Sequence, residues 1–243
     1  MTTDEEKLLL SAASKGMALG STDLEHLSNT AALSNYIRIA DEIKNMLGQN
    51  KKILDWGCGY GQMTFLLRNR GYEDLVAYDV VKRANIEKIQ PFSELSIIYG
   101  QPTEDKLPFA DDTFDAVLSC GTLEHVPEHD KSLKEIARIL KPDGLLFIYM
   151  LPNKFSWSEK IAEIRGISSH PVKYTHRTIR QLLKKHNFKI LLVKRRNFLP
   201  KNLTGLPSVI KNFYGLISKP LIFADASKWF LVFPQEKCEK EIC

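Results

Sequence analysis

The stretch Ile53-Leu54-Asp55-Trp56-Gly57-Cys58-Gly59-Tyr60-Gly61 limits what this chain can become more than any other. An apolar strand tail runs into three glycines at alternate positions, and from Gln62 the residues Met63, Leu66 and Leu67 recur at helical spacing until Gly71. A strand, a tight turn and a helix start are predicted in that order. Glycines suit such a turn because side chains there would obstruct a ligand approaching the backbone. The helix that follows offers unpaired N–H groups and a positive dipole end to an anionic group, such as a carboxylate or phosphate.

Spacing decides between ligands. A dinucleotide fingerprint would have its third glycine at residue 62, which is Gln. Asp55-x-Gly57-x-Gly59-x-Gly61 instead resembles, with every position filled, the first motif of the class I (Rossmann-like) S-adenosylmethionine-dependent methyltransferases. Leu75 to Asp79 reads as a second strand ending in an acid, 18 residues beyond Gly61, where a carboxylate accepts both ribose hydroxyls of an adenosine. Leu107-Pro108-Phe109 leading to Thr113-Phe114-Asp115, and Arg138-Ile139-Leu140-Lys141-Pro142-Asp143-Gly144, resemble two further stretches of that family, in its methyltransferase type 11-like form. One departure is Gln101 followed by Pro102, where the family commonly has an Asp after the third strand.

The resemblance implies a three-layer α/β sandwich on a seven-stranded, mostly parallel sheet of order 3-2-1-4-5-7-6, with the last strand antiparallel. It implies S-adenosyl-L-methionine as cofactor and S-adenosyl-L-homocysteine as product. Carried onto this sequence, Gly57, Cys58, Gly59 and Gly61 lie against the cofactor's methionine half, Asp55 braces the turn, and Asp79 holds the ribose. Val80 and Gln101 face the adenine, and Cys120, with Gly121, lies under the cofactor near its sulfonium. His125, beside Glu124, is the catalytic candidate for a hydroxyl or carbon acceptor, with His170 and His176 behind it. No cluster of acids at metal-ligand spacing stands out, so a divalent-metal mechanism is not expected.

Charge divides the chain. Residues 1–150 carry a net −7 and residues 151–243 a net +12. A basic last third points to an anionic acceptor or an anionic surface. No run of about 18 apolar residues predicts a transmembrane helix. The acidic start Met1-Thr2-Thr3-Asp4-Glu5-Glu6 lacks the basic and then apolar character of a secretory signal, so the expected location is cytoplasmic. Cysteines at 58, 120, 238 and 243 show no C-x-x-C spacing, which argues against a disulfide framework or a zinc site.

Periodicity organises the rest. Residues 1–50 are expected as an N-terminal helical cap: a helix from Lys7 to Leu19, then a longer one capped by Asn29 or Thr30 and stopped by Gly48, with Leu33, Tyr36, Ile37, Ala40, Ile43 and Leu47 on one face. Tyr36 is placed there as a cofactor contact. Residues 51–243 form the methyltransferase domain. Within it the pattern predicts a short helix from Val81 to Gln90, strands at Leu95 to Tyr99 and Ala116 to Cys120, a helix from His129 to Leu140, a turn at Lys141 to Gly144 and a buried strand from Leu145 to Leu151. Beyond Pro152 come a helix over Asn153 to Ile167, a basic helix from Thr178 to His186, and strands at Phe188 to Val193 and Trp229 to Phe233.

Residues 153–176 and 200–226 are read as substrate-side insertions. In the second, Leu206, Val209, Ile210, Phe213 and Ile217 share one helical face that either packs on the body, covers the site as a lid, or contacts an anionic membrane surface peripherally. The acceptor is expected to be a small molecule or lipid-like. Two other classes stay open: a nucleic-acid methyltransferase, whose Asn/Asp-Pro-Pro-Tyr/Phe motif is missing after the fourth strand, where Ser119-Cys120-Gly121-Thr122 stands, and a non-catalytic cofactor-binding partner subunit.

Overall fold

The computed structural model describes residues 3–28, 30–101, 106–156, 163–164, 166, 171–195 and 228–235. Five strands, β1 (Ile53–Trp56), β2 (Leu75–Asp79), β3 (Ile97–Tyr99), β4 (Phe114–Cys120) and β5 (Leu140–Leu151), pair in parallel in the order β3-β2-β1-β4-β5. β6 (Phe188–Arg195) and β7 (Lys228–Gln235) extend the sheet past β5, with β7 antiparallel to both neighbours, which gives β3-β2-β1-β4-β5-β7-β6. Strand centres such as Leu54, Val117 and Leu146 are fully buried, as expected of a sheet covered on both faces.

Helices α3 (Gln62–Arg68), α4 (His129–Ile139) and α5 (His176–Lys185) follow β1, the β4 loop and residue 175. α5 starts two residues earlier than its apolar spacing suggests because Thr175 caps it, its hydroxyl accepting from the Thr178 N–H. Ahead of the sheet lie α1 (Asp4–Ala18), a 3-10 turn over Thr22–Leu27, and α2 (Thr30–Met46). Thr3 and Glu6 close a reciprocal capping box at the start of α1. This N-terminal layer is not a loose cover: Leu9, Ala13, Leu24, Leu27, Leu33 and Ile39 are all fully buried. Arg70, just past α3, ties it to the body by donating to Glu5, Asp41 and the carbonyls of Ile37 and Leu66.

Four local expectations change. Val81 to Gln90 is not a helix but an irregular segment with a single 3-10 turn at Ile86–Lys88. Asn85 sits there at φ 57, and the N-terminal layer holds the backbone out of helical geometry: the Ser21 and Tyr60 hydroxyls both donate to the Ala84 carbonyl, and the Asn85 amide donates to that of Leu19. α2 stops at Met46, just before Gly48, but that glycine is not left-handed; the left-handed residue past the helix is Asn50, at φ 59. The Lys141 to Gly144 turn is absorbed into β5 as a bulge, since Phe114 pairs with Leu140 and Ala116 with Leu145. The helix expected from Asn153 does not start there, since Asn153 bridges to Tyr174 and Lys154 and Phe155 form a turn, though residues 163 and 164 within its span are helical. Asn29, most of 157–170 and all of 200–226 lie outside the described residues, and with them His170 and the apolar face from Leu206 to Ile217.

Candidate functional site

Two buried carboxylates shape the carboxyl ends of β1 and β2. Asp55 is 2% exposed, and its Oδ2 accepts the Thr64 N–H at 3.0 Å and the Thr64 hydroxyl at 2.7 Å. Strand end and α3 start are thereby joined under the glycine turn. Burial pushes the Asp55 carboxyl up to about 6, against the lowering effect of the two Thr64 bonds. Asp79 is 5% exposed; its Oδ2 accepts the Gly59 N–H and its Oδ1 the Val81 N–H, both at 2.8 Å. The Tyr78 carbonyl takes the N–H groups of Gly57 and Cys58. The first turn and the second strand therefore form one hydrogen-bonded unit.

The glycines serve different ends. A Cβ on Gly57 would overlap the Thr122 side chain, and one on Gly61 would meet Leu95, so protein atoms fill both places. At Gly59 the nearest heavy atom to an added Cβ is Gln62 Oε1 at 3.8 Å, and the turn is left-handed at φ +60. That leaves Gly59 as the member of the set whose bare surface is not explained by packing.

A cleft of about 630 Å³ opens over these strand ends, within the usual range of about 300–1,000 Å³ for ligand sites. Gly57, Asp79, Val80, Gln101, Gly121 and His125 line it. Asp55, Cys58, Gly59, Gly61 and Cys120 are not among its lining residues. Burial, then the charges of Asp55 and Asp79, raises the Cys58 thiol, and burial, Asp55 and Glu124 raise that of Cys120. Neither cysteine is suited to act as a nucleophile. His125 ends a 3-10 turn over Leu123–His125, its N–H bonded to the Thr122 carbonyl. His176 is the first residue of α5 and is not part of the cleft lining.

Several lining residues have no counterpart in the motif reading: Trp56, Tyr78, Arg83, Thr122, Lys106 and Lys131. Arg83 lies 3.9 Å from Asp79 and 3.0 Å from Asp23 of the N-terminal layer. Its spacing from Asp79 is readable in the sequence as i,i+4, but its partner Asp23 is 60 residues away. Among the described residues no group of three His, Cys, Asp or Glu could hold a metal ion.

Residues 54–148 match the methyltransferase domain family. A ubiquinone biosynthesis O-methyltransferase of Bartonella bacilliformis is 33% identical over 58% of this chain and 58% of its own. An uncharacterized protein of Methanocaldococcus jannaschii is 31% identical over 71% of this chain and 72% of its own. The chain spans 58%, 36% and 47% of the lengths of the first curated relatives it matches. A crystal structure of a SAM-dependent methyltransferase from Archaeoglobus fulgidus superposes with a TM-score of 0.58 over 82% of this chain and 93% of that one, at 18% identity, a likeness of fold. With strand order, glycine turn and domain match in agreement from β1 into β5, residues 54–148 are a methyltransferase domain on a Rossmann-like fold.

Proposed function

We propose that the protein binds S-adenosylmethionine in the cleft over β1, β2 and β4 and transfers its methyl group to a small-molecule or lipid-like acceptor. The observation that carries this is the Asp79–Gly59 pair. Each Asp79 oxygen already accepts one backbone N–H and keeps a lone pair for a ribose hydroxyl, beside the one glycine of the turn left open by packing. In this reading Gly59 admits the methionine half beside Gly57 on the cleft wall, Val80 and Gln101 flank the adenine, and Asp55, Cys58, Gly61 and Cys120 support the turn and the strand ends. The cofactor supplies a sulfonium methyl, a good electrophile with a neutral leaving group. The chain's own part is placement, for which effective molarities of about 10⁵ M or more are attainable. His125, on the cleft wall, takes the acceptor's proton when that acceptor is a hydroxyl or carbon acid.

A relative named for ubiquinone biosynthesis supports a small organic acceptor. Residues 1–50 serve as a helical cap on the methyltransferase domain of 51–243, and 153–176 and 200–226 as acceptor-side insertions. Calorimetric titration with S-adenosylmethionine and S-adenosylhomocysteine tests the cofactor, and labelled methyl transfer into lipid, small-molecule and nucleic-acid pools of an extract tests the acceptor class. Absence of binding to either nucleoside overturns the proposal, and label confined to nucleic acid overturns the acceptor.

A further inference from the structure

The stretch after β2 faces the cleft on one side and the N-terminal layer on the other. Val80, Val81 and Arg83 line the cleft. The next two residues are fastened outward: the Ser21 and Tyr60 hydroxyls donate to the Ala84 carbonyl at 3.2 Å, and the Asn85 amide donates to the Leu19 carbonyl at 3.2 Å. Between these, Arg83 stands between two carboxylates. Its Nη1 donates to Asp23 Oδ2 at 3.0 Å, whereas its Nη2 lies 3.9 Å from Asp79 Oδ2. The first distance is a charge-assisted hydrogen bond and the second is too long for one. Asp23 belongs to the 3-10 turn over Thr22–Leu27, in which Leu24 and Leu27 are fully buried, so the acceptor that draws Arg83 outward sits on a firmly seated element.

Asp79 has few acceptor sites to spare. Its Oδ2 already takes the Gly59 N–H and its Oδ1 the Val81 N–H, and only the remaining lone pairs are left for a ligand. Among the described residues Arg83 is the only cation within 4.0 Å of Asp79. Its guanidinium is not satisfied where it stands, since Nε is buried and has no hydrogen-bond partner among those residues. A shift of about 1 Å would bring Nη2 into a charge-assisted pair with Asp79 Oδ2. The bond to Asp23 opposes that shift. At its present distance Arg83 attracts the Asp79 carboxylate without taking a hydrogen-bonding site from it.

We propose, resting on the function above, that Asp23 is a positioning residue for the cofactor's ribose: by holding the Arg83 guanidinium outward it keeps Asp79 Oδ2 open to a ribose hydroxyl. Asp23 is not among the cleft-lining residues and acts through Arg83. Without it, Arg83 turns to Asp79 and fills the acceptor site with its own N–H, and a neutral hydroxyl must then break an ion pair to enter. Cofactor affinity is thereby set in part by the seating of the N-terminal layer.

A double-mutant cycle read by calorimetric titration of S-adenosylhomocysteine into the full-length protein decides this. Asp23 is 58% exposed, so Asp23→Ala should keep the parent's urea midpoint. It should weaken S-adenosylhomocysteine about tenfold, and in an Arg83→Met background the same change should shift affinity by less than about twofold. Asp23→Glu restores an outward acceptor and should recover most of the loss. The preference for adenosine over its dideoxy analogue, which lacks both ribose hydroxyls, should fall in Asp23→Ala and hold in Asp23→Glu. Equal losses in the two backgrounds overturn the proposal, because Asp23 would then act through the packing of its layer. Binding by Arg83→Met weaker than that by Asp23→Ala overturns it too, because Arg83 would then help to hold the nucleoside. If the parent binds S-adenosylhomocysteine and Asp23→Ala binds it equally well, this proposal alone falls; if the parent binds neither S-adenosylhomocysteine nor adenosine, the methyltransferase reading falls and takes it along.

Discussion

Asp55 is an acid that the fold places at a cost, and the cost has a pH dependence. Its carboxyl titrates at about 6 in the folded chain against an ordinary 3.8. Between those values the folded chain holds a proton that the unfolded chain has released, so stability falls as pH rises through the window and the loss is complete above about 6. The 2.2-unit difference, at 1.36 kcal/mol per unit, is about 3 kcal/mol. Asp55→Asn has nearly the same shape, carries no charge, and can turn its carbonyl oxygen to the Thr64 N–H and hydroxyl. The variant should therefore be more stable than the parent at pH 7.5, by up to about 3 kcal/mol, and the gap should close toward pH 4. Asp130, held low by Lys185 and His186, and Glu135, held low by Arg138, contribute stability of the opposite pH sign, lost as pH falls. They are common to both proteins and cancel in the difference. Urea unfolding from pH 4.5 to 8 at fixed ionic strength measures the gap. A gap that does not change with pH would refute the account of Asp55 as a charge held against burial.

Other expectations are more direct. Gly59→Val should abolish S-adenosylmethionine binding in calorimetry while the fold survives, since an added Cβ there has Gln62 Oε1 as its nearest neighbour, at 3.8 Å, and the left-handed turn costs about 1–2 kcal/mol; unchanged affinity would end the assignment of this turn. Asp79→Ala should weaken S-adenosylmethionine by about 1.5–3 kcal/mol, and a shift below about twofold would remove its ribose role. Arg70→Ala takes out an 8%-exposed guanidinium shared by Glu5 and Asp41 and should cost about 2–4 kcal/mol, read as a lower urea midpoint and faster proteolysis before residue 50; an unmoved midpoint contradicts the clamp. His125→Ala should lower kcat more than it raises KM for a hydroxyl acceptor, and a pH–rate profile identical to the parent's would return His125 to a structural place.

The sheet was legible because its signals are local: short apolar runs, a glycine turn after β1 and an acid ending β2 all lie within a few residues of what they determine. Local signals also found α3, α4 and the span of α2. They failed at Val81 to Gln90, where helical spacing is present but the Ser21 and Tyr60 hydroxyls take the Ala84 carbonyl and the Leu19 carbonyl takes the Asn85 side-chain amide. The same limit applies to the glycines. Three in a row suggest three equivalent approaches to a ligand, and only packing reveals that Thr122 and Leu95 occupy two of them.

The way the N-terminal layer is fastened sets a timetable for synthesis. Glu5 waits for Arg70, 65 residues on; Ser21 waits for Ala84, 63 residues on; Leu19 waits for Asn85, 66 residues on. At roughly 5–20 residues per second, the first helix leaves the ribosome about 3–13 seconds before any of these partners exists. A lone helix of 15 residues is marginal in water, and its Leu9, Ala12 and Ala13 face stays bare for that interval, as do Leu24 and Leu27 behind it. This apolar segment of the nascent chain thus stays open to chaperones and becomes core only once the second strand and its connection have emerged.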